Sequence, residues 1–223
     1  MKTTKFLQLT ILLAVGLFLA STIGVKQETE RINKASDVLV DMGKMKEAIP
    51  HKLLSECEGV VIIPKLINAG LGVGGKRGKG VALVKLPDGK WSNPVFITLT
   101  GGSIGFQAGV QSVDLVLVFK HKGVLTKVKN GDFTIGGDVS ATAGPVGRNS
   151  SASTDHKLEA EIYSYSRSRG AFAGISINGS NLSIDKSSNS SFYGKDINSQ
   201  IIFDTADSSD EAVNNLKTKL SSL

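Results

Sequence analysis

The apolar positions of this chain change their period at Gly59. Before it, Ile32, Ala35, Val38, Leu39, Met42, Met45 and Ile49 recur at steps of three and four. Glu28, Glu30, Arg31, Asp37, Lys44 and Lys46 fall between them. That spacing predicts an amphipathic helix over 27–49, ended by Pro50, with a second short helix over about 51–57. Charges of both signs on its polar face favour a stripe packed on a protein core. A helix lying in a membrane interface is the other reading, but such helices tend toward Lys and Arg.

From Gly59 onward the pattern is extended. Short β-branched or alternating runs stand at Val60–Ile63 (stopped by Pro64), Val81–Leu86, Val95–Thr100, Phe106–Ser112 and Leu115–Phe119. Further runs stand at Phe133–Ile135, Ile162–Ser166, Phe172–Ile177 and Leu182–Ile184. Pro87-Asp88-Gly89-Lys90 predicts a hairpin turn, as does Asn130-Gly131 between Val124-Leu125 and Phe133, because Gly supplies the positive φ of tight turns. Arg148–Lys157 and Asp185–Ser191 read as exposed loops. At the end, Ser208 to Glu211 forms a capping-box pattern before a helix whose Val213, Leu216 and Leu220 share a face. Strands this closely spaced, without helices between them, predict an α+β, mainly β fold. Its core is an antiparallel sandwich or barrel, with an N-terminal amphipathic helix and a C-terminal helix.

The first 24 residues stand apart. Lys2 and Lys5 precede an apolar run from Phe6 to Ala20, which reads as a signal peptide. Extended to Val25, the run is also long enough for an uncleaved anchor. Residues 25–223 then form a single domain. With a formal net charge of +6 for the 223 residues, the chain is basic, and unevenly so. Pro64–Lys90 carries Lys65, Lys76, Arg77, Lys79, Lys85 and Lys90 against Asp88 alone, whereas Asp204–Asn215 carries four carboxylates and no base. A clustered positive face points to an anionic partner, and export makes a lipid surface a better candidate than nucleic acid. The single cysteine, Cys57, excludes an internal disulfide and reads as a small buried hydrophobe.

Two segments mimic enzyme motifs. Gly70–Gly75 fits G-x-G-x-x-G, and Gly70–Lys76 fits most of a phosphate-binding loop. Both chemistries need a helix N-terminus directly after the glycines, and the strand pattern of Val81–Val84 follows instead. The segment reads as a flexible hairpin with close backbone approach, or more sharply as a loop on which Lys76, Arg77 and Lys79 meet anionic head groups. Gly101–Gly105 fits the G-x-S-x-G nucleophile elbow, with Asp138 or Asp155 and His156 downstream. A lipase or esterase using Ser103 and His156 is therefore the alternative function, although the elbow needs a strand, a sharp turn and a helix. His51, His121 and His156 have no metal-ligand spacing, and no cofactor is implied. Lys120-His121-Lys122 with Lys127 and Lys129 reads as a solvated basic hairpin. On an alternating strand, Tyr163, Tyr165, Arg167 and Arg169 share one face. That face offers either an aromatic-lined basic site for a lipid phosphate, or core tyrosines with arginines fraying outward at the strand end.

Five segments stand out together: Glu56–Pro64, Trp91-Ser92-Asn93-Pro94, Gly101–Gly109, Gly144-Pro145-Val146-Gly147-Arg148 and Ile162–Gly174, with Tyr-Ser-Arg-Ser-Arg-Gly inside the last. In that order and spacing they resemble the SYLF family of lipid-binding domains. The similarity runs over about 35–220. It implies a non-enzymatic domain that binds anionic lipids, phosphoinositides in eukaryotic members, where the domain is coupled to membrane remodelling and actin. Exported single-domain members resemble bacterial envelope proteins. No SH3-type module stands in these residues, so the expectation carried over is phospholipid binding at the periplasmic or envelope membrane, with protein partners left open. The resemblance assigns no individual lipid-binding residue. Lys76, Arg77, Lys79, Arg167 and Arg169 rest on charge clustering and strand alternation.

Overall fold

A computed structural model describes residues 24–45, 48–121, 133–135, 141–143, 161–168, 171–172, 175–194 and 197–223. Helix α1 covers 24–43 and α2 His51–Glu56. Strands β1 (Gly59–Val84) and β2 (Val95–Phe119) form one long antiparallel hairpin, in register from Gly59 opposite Phe119 to Ala82 opposite Val95. The short strands are β3 (Phe133–Ile135), β4 (Ala141–Ala143), β5 (Ile162–Ser168), β6 (Ala171–Phe172) and β7 (Ser180–Ile184). Helices α3 (Lys186–Tyr193), α4 (Ser199–Phe203) and α5 (Glu211–Ser222) complete the described elements. β7 pairs with one end of β2 and β5 with the other. The seven strands make one curled sheet, a half-barrel, antiparallel except for the β4–β5 pair. The mainly β, barrel-like architecture read from the sequence is the one observed.

Both faces of the sheet are buried around the start of β1, which is why Val60-Val61-Ile62-Ile63 is apolar at every position rather than at alternate ones. Val61, Ile63, Val95, Ile97, Leu99, Leu115 and Leu117 face inward. There they pack with Ile175, Ile177 and Leu182, and with Ile202 and Phe203 of α4. Val60, Ile62, Val81, Leu83, Phe96, Val116, Val118, Tyr163 and Tyr165 face the other way. They are covered by Ile32, Ala35, Val38, Leu39 and Met42 of α1, Leu53 and Leu54 of α2, and Val213, Leu216 and Leu220 of α5. Each fully buried Leu, Ile or Phe contributes about 1.5–3 kcal/mol. The α1 stripe thus packs on the sheet, as its mixed charges indicate. Cys57 is a buried member of the same layer.

The boundaries differ from expectation at several points: the first helix ends at 43 rather than 49, the runs read separately over 95–119 are one strand, and 175–177 are not strand. Pro64 does not stop β1. The strand passes it through a bulge, with Lys65 in the left-handed region (φ 58°) and its N–H donated to Asp114 Oδ1 at 3.0 Å in place of a ladder bond. The expected glycine loop over 70–80 is strand throughout. The expected loop Asp185–Ser191 is mostly α3, although its serines are weak helix formers. Asp185 caps it, accepting from the Ser188 N–H at 3.1 Å, and Phe192 meets Phe96 edge-on with the Tyr193 ring tilted beside it. The cap of α5 is Asp210 rather than Ser208, because Asp210 Oδ1 accepts from the Val213 N–H at 3.0 Å while Ser208 Oγ accepts from Asp210 N–H. The hairpin turn at Gly89 (φ 82°) stands as read. The Asn130-Gly131 hairpin, the Arg148–Lys157 loop and residues 1–23 lie outside the described residues.

The inner end of the sheet is finished by a side chain. Beyond Ile97 opposite Ile184, Phe96 donates its N–H to Asn189 Oδ1 at 2.9 Å. Its carbonyl accepts from Asn189 Nδ2 and from Asp185 N–H, each at 2.9 Å. The Asn189 amide occupies the place of the next strand residue.

Candidate functional site

The glycines of β1 answer to crowding. A Cβ on Gly74 would stand 2.2 Å from the Ala69 carbonyl oxygen, and one on Gly80 2.1 Å from that of Ile62. Residues 62–70 and 74–80 therefore lie in backbone contact, and β1 doubles back around Leu71–Val73. Only glycine fits the inner face of such a bend. The nucleotide-loop pattern of Gly70–Lys76 is a by-product of this packing. Its backbone runs in a ladder with β2, not into a helix.

Alternation along the bent strand then sorts the side chains. Lys76 points inward and is buried, its Nζ donating to the Ser176 carbonyl between core residues Ile175 and Ile177. Burial holds its pKa below the ordinary lysine value. The expectation that Lys76 stands on a flexible exposed loop is thus corrected. Arg77 and Lys79 point outward. Lys79 Nζ meets Asp185 Oδ2 at 2.8 Å. Burial pushes the Asp185 carboxyl pKa up, but hydrogen bonds from Lys79 and from Ser188 N–H and Oγ outweigh it and leave the pKa low. Behind Lys79, Arg31 of α1 bonds Glu28 at 2.9 Å and Ser188 Oγ at 3.1 Å, with its guanidinium 5.3 Å above the Phe96 ring. This cluster ties α1 and α3 to β1.

Past Lys79 the outer face of the bend is exposed among the described residues. Arg77 is exposed and makes no ion pair among the described residues. Leu71, Val73 and Val110 are 80%, 77% and 75% exposed, with Ile67 beside them at 41%. Of the other cations in 64–90, Lys85 donates to the Ser55 carbonyl and lies over Trp91, and Lys90 pairs with Asp88 at 3.3 Å. The charge that reaches solvent freely in this stretch is therefore that of Lys65 and Arg77. The apolar residues beside Arg77 were missed in the sequence. Their signal is the alternation Ile67, Ala69, Leu71, Val73 against Asn68, Gly70, Gly72, Gly74, in which the small residues face inward and the large ones outward.

Arg167 was expected on one face with Tyr163 and Tyr165, and it is. Both tyrosines are core residues. The guanidinium does not fray: Nη2 meets Asp41 Oδ2 at 2.7 Å and Asp114 Oδ2 at 2.9 Å. Its charge is spent inside the protein. Arg169 lies outside the described residues, as do Gly144–Arg148, Lys122, Lys127 and Lys129. The nucleophile-elbow reading of Gly101–Gly105 is corrected on geometry. Residues 101–105 pair in an unbroken ladder with Lys76 to Gly72, so Ser103 sits within a strand and not on an elbow. Asp138, Asp155 and His156 lie outside the described residues. His51 and His121 are exposed and far apart in the chain.

A family model described as "Ysc84: Las17-binding protein actin regulator" matches residues 100–223. "SH3 domain-containing YSC84-like protein 1" of Xenopus laevis is 38% identical over 149 residues, 66% of this chain and 44% of that protein. An SH3 domain-containing protein of Schizosaccharomyces pombe is 33% identical over 189 residues, 82% of this chain and 44% of its own length. "LAS seventeen-binding protein 3" of Saccharomyces cerevisiae is 32% identical over 187 residues, 80% and 40% of the two chains. The chain spans less than half the length of these relatives.

Proposed function

The chain belongs to the Ysc84 family, the SYLF resemblance of its sequence, and from that premise we propose that it binds anionic phospholipid head groups at a membrane surface without catalysis. The basic and apolar segment at Lys2–Ala20 supports placing it, exported, at the periplasmic or envelope face of a membrane. The Las17 binding in one relative's name belongs to a protein more than twice as long, and its partner is not transferred here.

The observation that carries the reading is the outer face of the hairpin bend. It presents the exposed Arg77, with Lys65 in the same bend, while the neighbouring cations are held by protein partners. Arginine is suited to the task because its planar fork gives two parallel hydrogen bonds to a phosphate. Each basic side chain near an anionic membrane contributes about 1 kcal/mol.

Co-sedimentation with phosphatidylglycerol-containing vesicles tests it. Binding is expected to fall as salt rises and to be weak on phosphatidylcholine alone. Arg77→Gln is expected to weaken it by about fivefold. Equal binding to neutral vesicles overturns the reading, and so does turnover of a short-chain ester that disappears in Ser103→Ala.

A further inference from the structure

We propose that the bend of the β1–β2 hairpin is a membrane-penetrating wedge. Leu71, Val73 and Val110 enter the apolar edge of an anionic bilayer while Arg77 and Lys65 stay at head-group level. The inference rests on the head-group reading above and deepens it from surface attraction to insertion.

Exposure supplies the first argument. Elsewhere in β1 the large apolar side chains Val60–Ile63, Leu66 and Val81–Val84 are at most 5% exposed, whereas Leu71 and Val73 are 80% and 77% exposed. These two cannot turn inward. The inner face of the bend is filled by backbone, since even a Cβ at Gly74 would meet Ala69 at 2.2 Å. Isolated exposed hydrophobes need no explanation, but a cluster at the apex of a doubled hairpin marks a contact surface.

Charge selects the occupant. Residues 65–77 and 101–113 carry Lys65, Lys76 and Arg77 and no carboxylate. A second copy meeting this face would bring like charges together, whereas an anionic bilayer offers phosphates to the arginine and hydrocarbon to the leucine and valines. The backbone tolerates the move on its β2 side. There Leu71 pairs with Ala108, Gly72 with Gly105 and Val73 with Ile104, so those peptide groups carry their hydrogen bonds with them.

Two variants of the full chain, each with vesicles of phosphatidylglycerol and phosphatidylcholine, test the wedge. Leu71→Trp is expected to blue-shift on binding and to be quenched by brominated acyl chains beyond any quenching of the buried Trp91 in the parent. The triple variant Leu71→Ser, Val73→Ser, Val110→Ser is expected to keep its melting temperature and bind on the order of 30-fold more weakly. If the parent binds but the new tryptophan is unquenched and the triple variant binds as the parent does, the wedge is overturned and the head-group reading stands. If the parent ignores anionic vesicles, that reading falls and takes the wedge with it. A concentration-dependent dimer in ultracentrifugation, abolished by the triple variant, overturns the wedge by assigning the face to a second copy.

Discussion

Arg167 of β5 holds Asp41 of α1, Nη2 to Oδ2 at 2.7 Å, and so fastens the N-terminal helix to the far end of the sheet. The same guanidinium donates from Nε to Asp114 Oδ2 at 3.0 Å, completing a partly buried bridge among three elements. Arg167→Ala leaves Asp114 without this partner and is expected to cost about 2–3 kcal/mol. Arg167→Lys recovers only part of that, since an ammonium cannot span both carboxylates with the same fork. Urea unfolding of the two variants checks the order. Equal stability of Arg167→Ala and parent would mean the bridge contributes nothing.

The doubling back of β1 makes a contrast between two glycines. Gly80→Ala forces a methyl against the Ile62 carbonyl, where the carbon would stand at 2.1 Å. A loss of about 3 kcal/mol or more, or failure to fold, is expected. A Cβ on Gly102 of β2 meets nothing within 4 Å, and its backbone is not in the left-handed region. Gly102→Ala is therefore expected to be neutral or stabilising by about 0.5 kcal/mol. Thermal melts of both variants decide it, and a tolerated alanine at 80 would contradict the bend.

Asp185 makes stability depend on acidity in a defined direction. Its pKa in the folded protein is depressed, so its contribution is complete above the unfolded value, about 3.9, and drains away as pH falls through the folded one. Asp185→Asn keeps a capping side chain for α3 but loses the charge facing Lys79 and Arg31. It is expected to cost about 2 kcal/mol near neutrality. The gap between variant and parent should close below about pH 4. Urea midpoints across that range measure the gap, and a constant difference would show that the cap rather than the charge matters.

Cys57 lies buried under α2, its Sγ–H donated to the Leu54 carbonyl at 3.1 Å, and burial pushes its pKa up to about 11. Because the folded value is raised, the stability it contributes is full below the unfolded pKa, about 8.5, and is lost as pH climbs through the folded one. At pH near 8 a disulfide reagent is expected to label it only as fast as the protein opens. Labelling within the mixing time would place the thiol at the surface.

What could be read in advance was what local periodicity encodes. The stripe Ile32, Ala35, Val38, Leu39, Met42 is a property of neighbouring turns, and the turn at Gly89 is a property of one φ angle. Close backbone approach at the glycine run was readable, but its place in one long strand was not, because its cause is tertiary: Gly80 is small on account of Ile62, on the other limb of the same strand. Lys76 carries the same lesson, since nothing near it in sequence announces the Ser176 carbonyl that receives it. The candidate site was legible at Arg77 and at the clustered charge around it. It was not legible which of those charges the fold consumes. Asp185 and the carbonyls of Ser176 and Ser55 reach Lys79, Lys76 and Lys85 from elements distant in the chain, and only the Asp88–Lys90 pair is local to one turn.

Asn189 has a consequence for how this protein meets other chains. A strand that ends with its peptide groups open invites an incoming strand to continue the ladder, the first step toward fibrils. At Phe96 both peptide groups are already taken, by an amide that belongs to a helix and cannot hand the ladder on. Growth of the sheet is closed at that position, and self-assembly by strand addition would have to start on another edge.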